Sequence, residues 1–208
     1  MSRQEFLDKQ QTKESNSFLF GLFVNYMKPS AYVESVLDIN LQKLKDQGIK
    51  MIICDLDNTL VPHFTKFPTK MAFEFSKKVR EAEMEFVIVS NNTNRRVSFF
   101  AEKLNTNEYI ANAKKPFKKK ISKLIKDKNL ETHEVAIVGD MIITDVLVAN
   151  FIKCESILVN PVIQAEKTLS KVMSWVEEKI FKRLSNENLI VKETIVEETL
   201  LSEEYEIL

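Results

Sequence analysis

Residues 49–60 of this 208-residue chain have the sequence IKMIICDLDNTL. The first six are almost all apolar, with β-branched side chains on both faces, which predicts a central strand of a parallel sheet covered by helices on both sides. The strand ends in two acids, Asp55 and Asp57, with one residue between them. Because ligands of such sheets bind outside the carboxyl ends of the strands, we expect these acids to lie in a functional site.

The pair formed by Asp55 and Asp57 allows two interpretations. Two neighbouring carboxylates at the end of an apolar strand repel each other unless a cation lies between them, and Mg²⁺ prefers oxygen ligands of this kind. One acid is then available as a nucleophile and the other for proton transfer. A D-x-D pair also serves simply to cap a turn, so the choice between the two depends on residues further along the chain.

Composition argues against several classes of function. Lys+Arg and Asp+Glu both number 30, so the net charge gives no argument for nucleic acid, and no nucleic-acid partner is expected. Cys54 and Cys154 lie in apolar surroundings without metal-ligand spacing, which predicts reduced core residues of a cytoplasmic protein. With only two histidines, zinc chemistry is not expected.

Short apolar strands alternate with amphipathic helices along the chain, which predicts an α/β fold with a doubly wound, mainly parallel sheet and helices on both faces. Further strands are predicted at residues 86–89, 109–110, 135–138 and 157–159, and helices at 38–47, 69–82, 93–104, 116–129, 144–151 and 166–184. Residues 58–89 and residues 91–114 are taken up by the predicted loops, helices and strands and leave no room for a large cap domain.

The same pattern divides the chain into three parts. Residues 1–28 form a polar N-terminus with a short aromatic segment, residues 29–163 the α/β domain, and residues 164–208 a C-terminal helix with an acidic tail.

The aromatic segment, FLFGLFV at residues 18–24, is too short to span a bilayer, which takes about 20 residues. It also lacks the cleavage pattern of a signal peptide. Two interpretations remain: the segment packs against the domain, or it lies in a membrane interface with Phe18, Phe20 and Phe23 immersed. The second interpretation predicts a cytoplasmic protein located at the inner face of the membrane.

Other strand ends and turns carry residues suited to phosphate and metal. Ser90 follows one strand, Lys115 precedes a helix, and Asp140 and Asp145 follow another strand. Each residue has an ordinary explanation by itself: a helix-entry turn for Ser90, a solvated basic run for Lys115, and a helix dipole for Asp145. Their order and common placement nevertheless indicate one site.

Four motifs in this order, DLDNT at residues 55–59, VIVS at 87–90, KKP at 114–116 and GDMIITD at 139–145, resemble those of the haloacid dehalogenase-like (HAD) phosphohydrolases. Within that superfamily the sequence is similar to the YqeG family of subfamily IIIA, which is related to phosphatidylglycerophosphatases. The resemblance covers residues 28–163 and leaves out the acidic tail.

The resemblance implies a phosphatase mechanism for the matching residues. Asp55 attacks phosphorus and becomes an aspartyl phosphate, while Asp57 protonates the leaving alcohol and then deprotonates water. Ser90 and Lys115 hold the non-bridging phosphate oxygens. Lys114 is the weaker alternative for the lysine, since the family places this lysine directly before proline.

The resemblance also implies Mg²⁺ as the cofactor. Asp55, Asp140 and the backbone carbonyl of Asp57 are expected to bind the ion, with waters completing its octahedron. Asp145 is expected to orient a metal-bound water or Lys115.

An uncapped site suits a bulky phosphorylated substrate, and the resemblance suggests a lipid phosphate such as phosphatidylglycerophosphate. The main alternative is a soluble HAD phosphatase for a nucleotide or sugar phosphate. A non-catalytic binding module is a third interpretation, but it gives no physical reason to keep such costly like charges together. A receiver domain fits less well, because its phosphorylated aspartate follows a later strand.

Overall fold

The computed structural model describes residues 24, 26–106, 108–163 and 171–193. In this part of the chain six strands form one sheet in the order β1-β6-β5-β2-β3-β4, and every neighbouring pair is parallel. The strands are β1 (Ala31–Val33), β2 (Met51–Cys54), β3 (Glu85–Val89), β4 (Glu108–Ile110), β5 (Val135–Gly139) and β6 (Glu155–Val159). The helices are α1 (Leu41–Asp46), α2 (Lys70–Glu81), α3 (Asn94–Lys103), α4 (Lys119–Asp127), α5 (Leu147–Ile152) and α6 (Lys171–Asn186).

Helices cover both faces of the sheet, as predicted. Alternate residues of β2 point to opposite faces: Ile52 belongs to a core cluster with Phe75 of α2 and Phe100 of α3, whereas Ile53 belongs to a second cluster with Ile121 of α4. Because its side chains are buried on both faces, β2 has the continuous apolar sequence typical of a central parallel strand. Cys54 and Cys154 are free and buried, as expected.

The order of the strands places the ends of β2 and β5 at the topological switch point. From β2 the chain proceeds outward through β3 and β4 on one side, while β5 and β6 lie on the other side. A crevice between neighbouring strand ends forms where the direction reverses. Asp55 follows β2 and Asp140 follows β5, and the Asp55 amide donates a hydrogen bond to the carbonyl of Val138 at 2.9 Å.

The connections at this edge of the sheet are short. Residues 55–69 link β2 to α2, and residues 90–93 link β3 to α3. Neither connection is long enough to fold into a separate domain, so the prediction of a site without a large cap is confirmed.

The beginning of the domain differs from the prediction. The strand at residues 49–54 is not the first, because β1 precedes it and pairs with β6 at the edge of the sheet. A three-residue strand carries too little periodicity to be recognised, and its partner is more than 120 residues away. The helix predicted at 38–47 begins only at Leu41, where the side chain of Asn40 accepts a hydrogen bond from the Lys43 amide.

The helix predicted to include Pro116 in its first turn in fact begins at Lys119. Tertiary contacts explain the delay, because the Asn91 side chain binds both backbone groups of Lys115. Its Oδ1 accepts from the Lys115 amide at 2.7 Å, and its Nδ2 donates to the Lys115 carbonyl at 3.2 Å. These two bonds hold Lys115 and its neighbours in a loop.

The helix predicted to open at Thr144 and Asp145 is also different. Residues Ile142–Val146 form a π-helical turn, and the α-helix starts at Leu147. Turns of this kind occur frequently at functional sites.

The C-terminal helix α6 packs on the domain, as expected for the described part of the predicted helix. Its Ile180 and Leu184 are buried in a cluster with Leu147 and with Val24, the last residue of the aromatic segment. Phe18, Phe20 and Phe23 lie outside the described residues, as do the acidic tail beyond residue 193 and the start of the predicted helix. No helix among the described residues is long and apolar enough to cross a membrane.

Candidate active site

A tight turn follows the two acids of the first motif. Asn58 has a positive φ of 65°, a conformation that asparagine tolerates better than most residues, and its amide donates to the Val61 carbonyl at 2.7 Å. The chain therefore reverses directly after Asp57. The hydroxyl of Thr59, in the same turn, donates to Oδ1 of Asp140 at 3.1 Å and so links this turn to the end of β5.

Lys115 is the buried cation of the site. Its ammonium contacts Oδ1 of Asp55 at 2.6 Å and Oδ1 of Asp145 at 2.5 Å, and only 4% of its side chain is exposed. A buried ammonium is tolerated only when carboxylates or other acceptors surround it. Lys114, the weaker candidate, is exposed.

Asp145 is held by donors on both of its oxygens. Oδ1 accepts from Lys115, while Oδ2 accepts from the Met141 amide at 3.2 Å and from the Thr144 hydroxyl at 3.1 Å. The carboxylate lies directly against Gly139, where an added Cβ would come within 2.3 Å of the Asp145 Cγ. Glycine is therefore required at this position of the GD motif because any side chain would displace Asp145.

One carboxylate oxygen from each of Asp55, Asp140 and Asp145 lies within 4.8 Å of the other two, so these residues form a group able to hold a metal ion. Within the described part of the chain, no donor contacts Oδ2 of Asp55 or Oδ2 of Asp140. Three carboxylates and one ammonium leave two negative charges, which a divalent cation would neutralise.

The pKa values of these groups reflect the same excess of negative charge. Burial, together with the charge of Asp145, raises the pKa of Asp55 from 3.8 to about 7, although Lys115 acts in the opposite direction. Burial and the charges of Asp55 and Asp145 also raise the pKa of Asp140 well above its usual value. For Lys115, burial opposes the charge, but Asp145 and Asp55 outweigh burial and raise its pKa.

Asp57 lies in different surroundings. Its Oδ1 accepts from Arg96 Nε at 2.9 Å and lies 2.7 Å from Arg96 Nη2, while its Oδ2 accepts from Asn92 Nδ2 at 2.9 Å. The hydroxyl of Ser90 lies 3.5 Å from the same Oδ2, and it accepts from the Asn92 amide. The side chain of Asp57 is not part of the group of three carboxylates.

Arg96 also holds the loop that precedes α2. Its Nη1 donates to the Thr65 carbonyl at 2.6 Å and its Nη2 to the Pro62 carbonyl at 3.3 Å. The guanidinium lies 4.7 Å from the centre of the Phe100 ring. One side chain on α3 therefore fixes both the Asp57 carboxylate and the loop beside it.

The structure thus divides the predicted site residues into two neighbouring groups. Asp55, Lys115, Asp140 and Asp145 form one, and Asp57 and Ser90 form the other. The roles of these residues and the proposed metal contact through the Asp57 carbonyl remain predictions.

Three residues that hold the site residues in place were not predicted from the sequence. Asn91 and Asn92 belong to the SNN stretch, where polar residues after a strand end were a usable signal. Arg96 stands beside Arg95 in a polar helix start, and nothing in the pattern distinguishes the two.

Glu177 of α6 is a further residue that the sequence did not reveal. Its Oε1 accepts from the Ile142 amide at 2.5 Å and its Oε2 from the Ile143 amide at 3.1 Å. Both amides belong to the start of the π-helical turn, where backbone donors lack partners within the turn. The C-terminal helix therefore supports the segment that carries Asp145.

Comparison with known proteins gives one family match and one close relative. The family model described as mitochondrial PGP phosphatase matches residues 19–164 of the chain. The chain is 32% identical over 165 residues to a protein of Bacillus subtilis (strain 168) named "Probable phosphatase YqeG", a match that spans 79% of this chain and 95% of that protein.

Two solved structures are similar at a lower level. The cobalt-bound deoxy-D-mannose-octulosonate 8-phosphate phosphatase of Haemophilus influenzae is 18% identical, with a TM-score of 0.46 over 57% of this chain and 71% of that one. The 3-deoxy-D-manno-octulosonate 8-phosphate phosphatase of Moraxella catarrhalis, in complex with magnesium, phosphate and KDO, is 15% identical, with a TM-score of 0.44 over 71% of this chain and 93% of that one. The fold described above does not depend on either similarity.

Proposed function

Because the chain belongs to the mitochondrial PGP phosphatase family and is a HAD-type phosphatase, we propose that it is a Mg²⁺-dependent phosphomonoesterase that forms an aspartyl phosphate and acts on a lipid phosphate. This membership confirms the family resemblance of the four motifs. The main support for the mechanism is the position of Asp55 at the switch point, in contact with Lys115 and grouped with two further carboxylates.

In the first step a carboxylate oxygen of Asp55 attacks phosphorus, and the bond between phosphorus and the leaving oxygen breaks. Asp57, in its protonated form, gives its proton to the leaving alkoxide, so the alcohol departs neutral. The hydrogen bonds from Arg96 and Asn92 support this role because they fix the Asp57 carboxyl group beside, and not within, the Asp55 group.

In the second step water attacks phosphorus, and the bond between phosphorus and the Asp55 oxygen breaks. Asp57, now a carboxylate, takes a proton from this water, so that inorganic phosphate leaves and both aspartates return to their starting states. Lys115 and Ser90 hold phosphate oxygens through their charge and hydroxyl group.

We assign the cofactor as Mg²⁺, held by Asp55 and Asp140 and by the carbonyl of Asp57. The free Oδ2 atoms of the two aspartates and the excess of two negative charges support this assignment. When bound, the ion offsets negative charge on the phosphoryl group and the acids. Asp145 has donors on both oxygens and serves to orient Lys115.

We propose phosphatidylglycerophosphate as the substrate, because the matching family is described as a PGP phosphatase family. The short connections of residues 55–69 and 90–93 support this choice, because they leave the carboxyl edge of the sheet open to a phosphate that stands on a bulky lipid.

We also propose that the protein contacts the inner face of the membrane from the cytoplasmic side, with Phe18, Phe20 and Phe23 inserted in the interface. These residues precede Val24, which is buried in one cluster with Ile142, Val146 and Leu147 of the segment after Asp140. Val24 therefore packs beside the segment that carries Asp145.

The deciding experiment is a substrate screen with and without Mg²⁺. Phosphatidylglycerophosphate in mixed micelles is compared with a panel of nucleotide and sugar phosphates, and phosphate release is measured. We expect kcat/KM to be highest for the lipid phosphate and activity to vanish in EDTA. A clear preference for a soluble phosphate would contradict the lipid assignment, and undiminished activity in EDTA would contradict the metal assignment.

A further inference from the structure

The two loops on either side of the site carry three of the most exposed large apolar side chains in the described part of the chain. Phe64 and Phe67 are 63% and 67% exposed in the loop between β2 and α2, and Phe117 is 74% exposed in the loop before α4. Single exposed apolar residues need no explanation, but three phenylalanines around one opening indicate a contact surface.

Both loops are tied to the catalytic carboxylates. The loop of Phe64 and Phe67 is held by Arg96, which binds the Thr65 carbonyl and Asp57 with the same guanidinium. Phe117 follows two residues after Lys115, whose ammonium contacts Asp55. The exposed rings therefore flank the opening of the site.

The charged side chains around the phenylalanines are basic. Although the whole chain has equal numbers of acids and bases, residues 58–73 and residues 109–126 contain no Asp or Glu, and residues 114–120 contain five lysines. Lys66, Lys118 and Lys119 are exposed, and none of them forms an ion pair with a described residue. The opening of the site is thus a positively charged surface with phenylalanines interspersed.

We propose that Phe64, Phe67 and Phe117, with Lys66, Lys118 and Lys119, form a surface that docks the open site onto an anionic lipid bilayer. Aromatic rings beside lysines suit the interface, because the rings enter the acyl boundary while the ammonium groups bind anionic headgroups. This inference rests on the proposed lipid substrate, and it identifies how that substrate reaches Asp55: its headgroup meets the opening while its acyl chains stay in the bilayer.

The surface continues to Tyr26. The Lys118 ammonium lies 3.5 Å from the carbonyl of Phe151, and the Phe151 ring lies 5.8 Å from that of Tyr26. Tyr26 is 53% exposed and stands two residues after Val24. The loop surface and the chain that leads to the aromatic segment therefore lie on one connected side of the molecule.

The test is cosedimentation of the full chain with vesicles of phosphatidylcholine alone or mixed with phosphatidylglycerol, at low and high salt. Binding requires no turnover, so the result is independent of the substrate screen. We expect binding to the anionic vesicles that weakens with salt. Replacing Lys66, Lys118 and Lys119 together by Gln lowers the partition coefficient by about 100-fold, at about fivefold per lysine.

A second variant with Phe64, Phe67 and Phe117 replaced by Ser tests the apolar part of the surface, with an expected loss of more than about tenfold. The matched control replaces Lys45, Lys126 and Lys153 by Gln. These three lysines are also exposed, and Lys45 pairs with Glu83, but they lie at the C-terminal ends of α1, α4 and α5, which lead to the starts of strands at the opposite edge of the sheet. The control variant is expected to bind as the unmodified protein does.

Three results would overturn the proposal. The first is no binding of the unmodified protein to anionic vesicles, and the second is binding by both loop variants that equals binding by the unmodified protein. The third is a loss of binding in the control variant as large as that in the loop variants. The first result would also be expected if these loops bind a protein instead of lipid. Thermal unfolding of each variant shows whether it is folded, and the lysine variant keeps the test valid if the phenylalanine variant is not.

Discussion

Asp55 and Asp57 are two residues apart in the chain, yet the fold gives them opposite surroundings. Asp55 shares a buried cluster with Lys115 and two more acids, where negative charge is in excess. Asp57 faces Arg96 and Asn92, which donate to both of its oxygens. Carboxylates in contrasting environments take different roles in catalysis. The contrast therefore supports the proposed division of roles, with Asp55 as the nucleophile and Asp57 as the acid for the leaving group.

The largest expected effect is that of Asp55→Asn, because it removes the proposed nucleophile. We expect Mg²⁺-dependent phosphate release to fall by more than about 10⁴-fold. The metal-free variant should melt at the same temperature as the unmodified protein or above it, since burial disfavours the Asp55 charge that the substitution removes. Asp46→Asn, at an exposed acid of α1, is the control. Turnover at the unmodified rate would refute the nucleophile assignment.

Asp57→Asn should lower kcat by about 10²-fold to 10⁴-fold, the usual contribution of a general acid and base. The loss should be smaller for p-nitrophenyl phosphate than for an alkyl phosphate, because nitrophenolate leaves without needing a proton. The measurement is the ratio of the two losses in kcat/KM, because kcat/KM reports the first step and not the hydrolysis of the aspartyl phosphate that both substrates share. An equal loss with both substrates would mean that Asp57 does not act on the leaving group.

Gly139→Ala tests the Asp55 side of the comparison without changing a carboxylate. The new methyl group lies 2.3 Å from the Asp145 Cγ and must displace the partner of Lys115. We expect activity to fall by about 100-fold and the free energy of unfolding by about 1–3 kcal/mol.

The matched control for this substitution is Gly48→Ala, at a glycine with a φ of +87° and no atom within 4 Å of an added Cβ. It should lose stability through backbone strain but keep full activity. If the two variants lose activity equally, the close packing of Gly139 against Asp145 is not important for catalysis.

Arg96→Ala tests whether the contacts of Asp57 matter for its proposed role. Loss of a hydrogen-bonded charge should lower kcat/KM by about 10-fold to 100-fold, with a smaller loss for p-nitrophenyl phosphate than for an alkyl phosphate, while the apparent affinity for Mg²⁺ stays the same. Arg95→Ala, at the exposed neighbouring residue, is the control. A change in Mg²⁺ affinity together with equal losses for the two substrates would show that Arg96 does not act through Asp57.

The smallest effect concerns proton and metal competition at Asp55, whose pKa in the metal-free site is about 7. Bound Mg²⁺ would displace this proton and compete with protonation of Asp140, whose pKa is also raised, so its apparent affinity should rise by at least about tenfold per pH unit below pH 7. Titrations of activity and of melting temperature with Mg²⁺ measure this slope.

The raised pKa of Asp55 also makes the stability of the metal-free protein fall as the pH rises, whereas the affinity for Mg²⁺ increases. Because the pKa of Asp55 is higher in the folded state, its contribution to stability is full below pH 3.8 and is lost as the pH rises to about 7. The melting temperature of EDTA-treated protein should therefore fall between pH 3.8 and about 7. Addition of Mg²⁺ should raise the melting temperature more at the upper end of this range. An affinity for Mg²⁺ that does not depend on pH would contradict both expectations.

Much of the fold was predictable because β2, β3 and β5 are buried on both faces and so carry continuous apolar sequences. The DLDNT and GDMIITD motifs follow two of these strands and identify the phosphatase family. Predictions failed where a local pattern was overruled by a distant partner. The helix after Pro116 starts late because Asn91 holds the Lys115 backbone, and β1 exists because β6 is available to pair with it.

The sequence by itself determined the parallel sheet, the order of the motifs and the residue types available for chemistry, since these depend on local periodicity and on short spacings. Only the tertiary structure decided which acid meets Lys115 and which meets Arg96, because those contacts join residues 60 and 39 positions apart. The physical reason is that strand order and the turn at Asn58 set the direction of each carboxylate, and neither is encoded in the D-x-D pattern itself.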